Sequence, residues 1–317
     1  MNNAANADAI NGEASATLPS VFPATLLADW RDYFALLKPR VMTLVIFTAA
    51  CAMAVAPGSL HPMLAFTAVL CIAVAAGAAG ALNQWYEADI DALMKRTAGR
   101  PLPAGRLAAD EALSFAVILA VGSVMLIGLA LNWVAALWLA VSILFYVVVY
   151  TAWLKRRTPQ NIVIGGAAGA FPVICGWAAV TGDTPLFAWI LFAIIFLWTP
   201  PHFWALALFM EADYAKAGVP MLPVTHGLPE TRRQIVIYSL LLVPVTIMPT
   251  LLGMAGWVYG GTAITLGGIF LWMAGKVWCC TASVPAEMLA EKQLFKFSLF
   301  YLAFLFGALV ADKLLLS

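Results

Sequence analysis

Apolar residues in this chain come in runs of about twenty, not in the short alternations that mark strands. Nine runs stand out, at roughly 41–57, 62–82, 111–131, 133–153, 161–181, 186–206, 234–253, 257–278 and 295–315. A helix of that length crosses a hydrocarbon core. None of the runs alternates as membrane-barrel strands do, so the backbone must satisfy itself within helices. The pattern predicts an all-α integral membrane protein, a bundle of about nine transmembrane helices. The shortest divisions between runs are Leu131-Asn132-Trp133 and Gly253 to Gly256. Residues 1–29, rich in Ala, Asn, Ser and Thr, lack the basic start and apolar stretch of a secretory signal. They read as a disordered cytoplasmic tail. Residues 30–317 read as a single transmembrane domain.

The charges between the runs orient the bundle. Of the 17 Lys and Arg residues, sixteen fall on one side of a nine-span arrangement and Lys313 alone on the other. Basic excess marks the cytoplasmic side. The N-terminus and the long loops are therefore expected to face the cytoplasm and the C-terminus to lie outside. Among the acids only Asp183 and Asp312 fall outside. Polar chemistry concentrates in two loops, 83–110 and 207–233, after the second and sixth runs.

Composition agrees with the lipid bilayer as the protein's solvent. Hydrophobic residues make up 63% of the 317 and charged residues only 10%, against about 25% charged in soluble domains. A net charge of +1 leaves no electrostatic footprint for nucleic acid. Cys51, Cys71, Cys175, Cys279 and Cys280 show no metal or disulfide spacing and read as small hydrophobes.

The first loop opens Asn83-Gln-Trp-Tyr-Glu87-Ala-Asp89-Ile-Asp91 and continues to Lys95, Arg96 and Arg100. Carboxylates at a membrane boundary are expensive and point to function. On one continuous helix, Asn83, Glu87 and Asp91 spread over only about 80° of one face. Three hard oxygen ligands on one stripe suit Mg²⁺, and Mg²⁺ suits a diphosphate. The bases that follow suit diphosphate oxygens, Arg as a fork and Lys as a point charge. Asp89 lies off the stripe, where Arg96 is its expected partner, and Asp91 with Lys95 forms an i,i+4 pair. Pro101 and Pro103 end the helix and leave a loop able to fold over a ligand.

The second loop follows Trp198-Thr-Pro-Pro-His202-Phe-Trp and holds Glu211, Asp213 and Lys216. Pro200-Pro201 should break the sixth span near its inner end, where irregular backbone is tolerated if it lines a cavity. His202 follows that break. His226, after Pro223, is a weaker acid–base or haem-ligand candidate.

With these residues in view, the stretch Asn83-x-x-x-Glu87-x-Asp89-x-Asp91-x-x-x-Lys95-Arg96-Thr97…Arg100-Pro101-Leu102-Pro103 resembles the first signature of the UbiA superfamily of intramembrane prenyltransferases. The segment from Trp198 to Val224 is similar to the haem-modifying branch of that superfamily. The resemblance covers nearly the whole chain after the tail. It implies a UbiA-like prenyltransferase fold and transfer of farnesyl from farnesyl diphosphate to a vinyl group of haem B, giving haem O. On the matching positions, Asn83, Glu87 and Asp91, with Asp89, would hold Mg²⁺. Lys95, Arg96 and Arg100 would bind the diphosphate, and Asp213 and Lys216 would supply a second site. His202 would lie near the haem or the reacting vinyl, with His226 a second haem-binding candidate. Haem A synthase or terminal oxidase assembly proteins would be partners. The superfamily's second Asp-x-x-x-Asp run is missing, since Ala217 and Phe209 flank Asp213 at that spacing. A UbiA-type transferase acting on a quinone precursor or other aromatic acceptor is the enzyme alternative. Other classes are a transporter, which predicts acids in mid-span, and a non-catalytic oxidase assembly factor, which needs no aligned stripe.

Overall fold

The computed structural model describes residues 28–316, so residues 1–27 of the expected tail lie outside the described residues. Asp29, placed by sequence at the end of that tail, caps the first helix by accepting from the Arg31 amide. The described residues are helical throughout, joined by turns, and include no strand.

The order is α1 (Trp30–Leu36), α2 (Pro39–Val55), α3 (Pro62–Tyr86), α4 (Ala88–Leu93), α5 (Ala109–Ala130) and α6 (Trp133–Leu144). Helix α6 runs directly into a π-helix, Phe145–Leu154, and the two together form one span. Next come α7 (Asn161–Thr181), α8 (Leu186–Phe209), α9 (Glu211–Lys216), α10 (Leu222–Leu251), α11 (Trp257–Trp278) and α12 (Leu289–Leu316). Eight of the spans are long and apolar enough to cross a membrane on their own. The short α1 and α2 make a ninth only together, bent by 52° at Leu37-Lys38. This is an integral membrane protein with eight to nine spans among its described residues.

One expectation needs correction. Pro200 and Pro201 do not break α8, which runs unbroken through both. Proline removes hydrogen bonds, but in a packed membrane bundle neighbouring helices and hydroxyls re-satisfy the backbone. Next to the two prolines the Thr199 hydroxyl donates to the Ile195 carbonyl at 2.8 Å. The break comes instead in α10, at Gly227, where φ is +81°. Only glycine takes that conformation readily.

Helix α7 lies at the centre, with 78% of its apolar stretch buried against 33–44% for the other spans. Its sequence explains this. Gly165, Gly166, Gly169 and Gly176, with five alanines, strip the helix of bulk and let neighbours approach closely. At Gly176 a Cβ would collide with the Ala49 carbonyl oxygen of α2. Gly176→Ala is therefore expected to push α2 and α7 apart and cost about 1–3 kcal/mol, the usual scale for overpacking. A thermal melt of the purified protein reads it directly.

At the end of the bundle that carries the C-terminus, polar caps tie helices together. Asp312 accepts from the amides of Gly256, Val258 and Tyr259 at the start of α11. Its negative charge suits that positive helix end. Lys313 donates to the carbonyls of Ala54 and Ala56 at the end of α2. Asp312 and Lys313, two of the residues that charge counting expected outside, are thus used structurally.

Candidate functional site

The opposite end gathers the polar residues of the first loop. Helix α3 stops at Tyr86, and Glu87 joins it to α4 with φ −103° and ψ 15°. The stripe is therefore not on one continuous helix, as the sequence suggested. It survives because the Glu87 amide still reaches Asn83 O at 3.0 Å and the Asp91 amide reaches Glu87 O at 2.8 Å. Asn83, Glu87 and Asp91 are 3%, 1% and 1% exposed.

Each of the three is held by a cation. Lys38 Nζ donates to Asn83 Oδ1 at 2.8 Å. Lys155 Nζ lies 2.5 Å from Glu87 Oε2, and Arg100 Nη1 2.5 Å from Asp91 Oδ2. Asp91 thus pairs with Arg100 and not with Lys95, because residues 94–107 turn back over α4. The Thr97 hydroxyl, donating to the Asp91 carbonyl at 2.8 Å, pins that turn. Lys38 sits in the left-handed region at φ +50°, an uncommon place for a residue with a Cβ and one that often marks functional strain. Lys38 and Lys155 appeared in the sequence only as orientation markers. They come from 45 and 68 residues away, and no local spacing announces such contacts.

Among the described residues, no three His, Cys, Asp or Glu side chains converge as a metal cluster. The polar set is instead one amide and two carboxylates. Glu87 Oε1 is buried with no partner, which leaves one acceptor open to a cation. Asp89 is not part of the set. Its side chain is 64% exposed and forms a two-pronged pair with Arg156, at 2.8 and 2.9 Å, not with Arg96. Arg156 holds the Asp89 carboxyl below the usual carboxylate range. A carboxyl lowered in this way contributes stability above its unfolded value and loses it as pH falls through the folded one. At this exposure Asp89→Asn should cost no more than about 1 kcal/mol in a melt and change transfer by less than about two-fold.

The second loop reaches the same place through Tyr214 of α9, which is buried. Burial pushes its hydroxyl up, Arg96 and Lys155 pull it down, and Glu87 and Asp213 push it up again. Both loops therefore share one electrostatic environment. Lys95, Arg96 and Lys216 are exposed, and Asp213 is half-buried. Beneath Lys38 runs an apolar crevice of about 130 Å³ between α2, α3, α6 and α7, bordered by Met42, Ala76, Gly80, Ser142 and Tyr146.

The histidines lie apart. The His202 ring is stacked between Trp198 at 4.3 Å and Phe295 at 4.7 Å. Its Nδ1 meets Ser298 Oγ at 2.6 Å. The Ser298 proton goes to the Phe295 carbonyl, so Nδ1 must carry the donated hydrogen and Nε2 keeps the lone pair. His226 is exposed, its ring bonded to Thr225 beside it. Neither histidine is hydrogen-bonded or ion-paired to the buried cluster.

A model of the UbiA prenyltransferase family matches residues 44–300. The chain belongs to that family. Curated relatives named protoheme IX farnesyltransferase include one from Rhizorhabdus wittichii, 60% identical over 291 residues, 92% of this chain and 96% of the relative. Another, from Parvibaculum lavamentivorans, is 60% identical over 296 residues, 93% of each chain. The fold resembles that solved for digeranylgeranylglyceryl phosphate synthase in membranes, with a TM-score of 0.73 at 18% identity, covering 89% of this chain and 98% of that one. It also resembles a UbiA homologue from Archaeoglobus fulgidus bound to GPP and Mg²⁺, with a TM-score of 0.64 at 18% identity, covering 88% and 99%. This UbiA-family chain is a prenyltransferase with the UbiA fold.

Proposed function

We propose that this prenyltransferase farnesylates protohaem IX. It joins the farnesyl group of farnesyl diphosphate to a vinyl group of haem B and makes haem O. The observation that carries this reading is the 60% identity, over more than nine-tenths of the chain, to relatives named for that reaction.

Asn83, Glu87 and Asp91 would hold Mg²⁺, and the unpartnered Glu87 Oε1 supports the fit. When bound, Mg²⁺ supplies neutralising charge to the leaving diphosphate. The chain's own cations do the rest of the electrostatic work. Lys38, Lys155 and Arg100, already at the cluster, turn to the diphosphate oxygens as substrate arrives, with Arg96 and Lys95 at the rim. Asp213 and Lys216 complete the mouth from the second loop. The crevice under Lys38 takes the first part of the prenyl chain, and its apolar walls keep water from the allylic cation once the C–O bond ionises. The vinyl group attacks that cation, and water then quenches the positive charge beside the porphyrin ring. His202 offers Nε2 toward the haem, fixed by Ser298 and the two stacked rings, and His226 is the more exposed second candidate.

The charge asymmetry supports placing the cluster on the cytoplasmic face of a bacterial inner membrane, with the C-terminus outside. Haem O made there passes to haem A synthase or to terminal oxidase assembly proteins. Acceptor choice is tested by competition. Labelled farnesyl diphosphate is given to the purified protein with Mg²⁺, protohaem and a hydroxybenzoate-type quinone precursor. Label is expected in the porphyrin. Label in the aromatic acid instead would overturn the acceptor assignment.

A further inference from the structure

The π-helix Phe145–Leu154 places one buried hydroxyl against the cluster. Thr151 is fully buried. Its Oγ1 donates to the Tyr146 carbonyl at 2.8 Å, five residues back, and accepts from Asn83 Nδ2 at 3.1 Å. Five residues is the π spacing. The lone proton of Thr151 is spent on that carbonyl, so towards Asn83 the hydroxyl can only accept.

Asn83 is fixed from both sides. Lys38 carries only donors, so the Asn83 atom facing it must be the oxygen. Thr151 has only an acceptor left, so the atom facing it must be the NH₂. A flipped amide would set donor against donor at Lys38 and acceptor against acceptor at Thr151. Lys38 is the partner that must move if it is to grip an incoming anion. Thr151 is not, because it is locked into the π-helix.

We infer that Thr151 is a positioning residue for the head-group site. It holds the Asn83 amide with its oxygen, not its nitrogen, toward the cation and diphosphate while Lys38 shifts. The inference rests on the reading of Asn83 as part of that site. It gives the π-helix a purpose: at a position reached by ordinary winding, the hydroxyl would bond four residues back instead.

The test compares Thr151→Val, which keeps the shape and loses the hydroxyl, with Thr151→Ser, which keeps the hydroxyl. Two quantities are read in the full-length purified protein. One is the rise in melting temperature on adding farnesyl diphosphate with Mg²⁺. The other is KM for farnesyl diphosphate in farnesyl transfer to haem B. Loss of a residue that orients a ligand side chain costs about 10–100-fold in affinity or activity. Thr151→Val should lose most of the ligand-induced rise and raise KM by about tenfold or more, on that same scale. Its melting temperature without ligand should fall only by the few degrees that one stranded buried amide N–H costs, and Thr151→Ser should restore both readouts. If the valine variant does not fold, Thr151→Ala provides the same comparison. A valine or alanine variant stabilised as well as the parent overturns the role of Thr151. A parent protein that farnesyl diphosphate and Mg²⁺ do not stabilise at all overturns the head-group site itself, and Thr151's role with it.

Discussion

Asp91→Ala is expected to cut farnesyl transfer by at least about 100-fold, the scale for removing one preorganised electrostatic contact at developing charge. The chain should stay folded in the membrane. Asp91 is 1% exposed, and its carboxylate is one of only two in the buried set, so no neighbour replaces its oxygen. Its partner Arg100 keeps a 23% exposed side chain and can turn to water when the carboxylate is gone. That separates the effect on chemistry from the effect on folding. Asp91→Asn keeps the shape and removes the charge, and should be nearly as inactive. Membrane-extracted protein with a normal melt and full transfer activity in either variant would remove Asp91 from the site.

The second large effect is on stability. Lys155→Met leaves the Glu87 carboxylate buried with neither oxygen partnered, because Oε1 already lacks a partner and Oε2 loses its own. The side chains are 12% and 1% exposed, so solvent does little to screen the loss. Removing one partner of a buried pair costs about 3–5 kcal/mol. The melting temperature of Lys155→Met should fall accordingly. Adding Glu87→Gln should recover most of it, since the stranded charge is then gone, while transfer stays low because both charges are missing. A single variant as stable as the parent would mean that Glu87 finds another partner. In that event the pair does not hold the site together.

The apolar runs showed the spans in the sequence because burial in lipid leaves a continuous signal. They also placed the buried stripe, since carboxylates beside a membrane span are costly enough to stand out. Local winding was less visible. Nothing in Phe145-Tyr-Val-Val-Val-Tyr-Thr-Ala-Trp-Leu154 distinguishes a π-helix from an α-helix, so Thr151 drew no attention. Pro200-Pro201 looked like a break because proline was weighed alone, without the packing that carries α8 through it. The partners of the acids were least visible. Asp89 was expected to pair with nearby Arg96, but Arg156 reaches it across 67 residues. Glu87 and Asn83 likewise find Lys155 and Lys38 through the fold. Sequence spacing describes one helix face, and these pairs form between helices.

The central claim is that the buried cluster around Asn83, Glu87 and Asp91 serves farnesyl transfer to haem. It is tested most directly by mass. The purified protein is incubated with haem B, farnesyl diphosphate and Mg²⁺, and the mass of the pigment is measured. The expected product carries one farnesyl group and one hydroxyl more than haem B, and it is absent when the Asp91→Ala variant replaces the parent. Haem B recovered unchanged, while a protoheme IX farnesyltransferase relative converts it in a parallel reaction, would contradict the account.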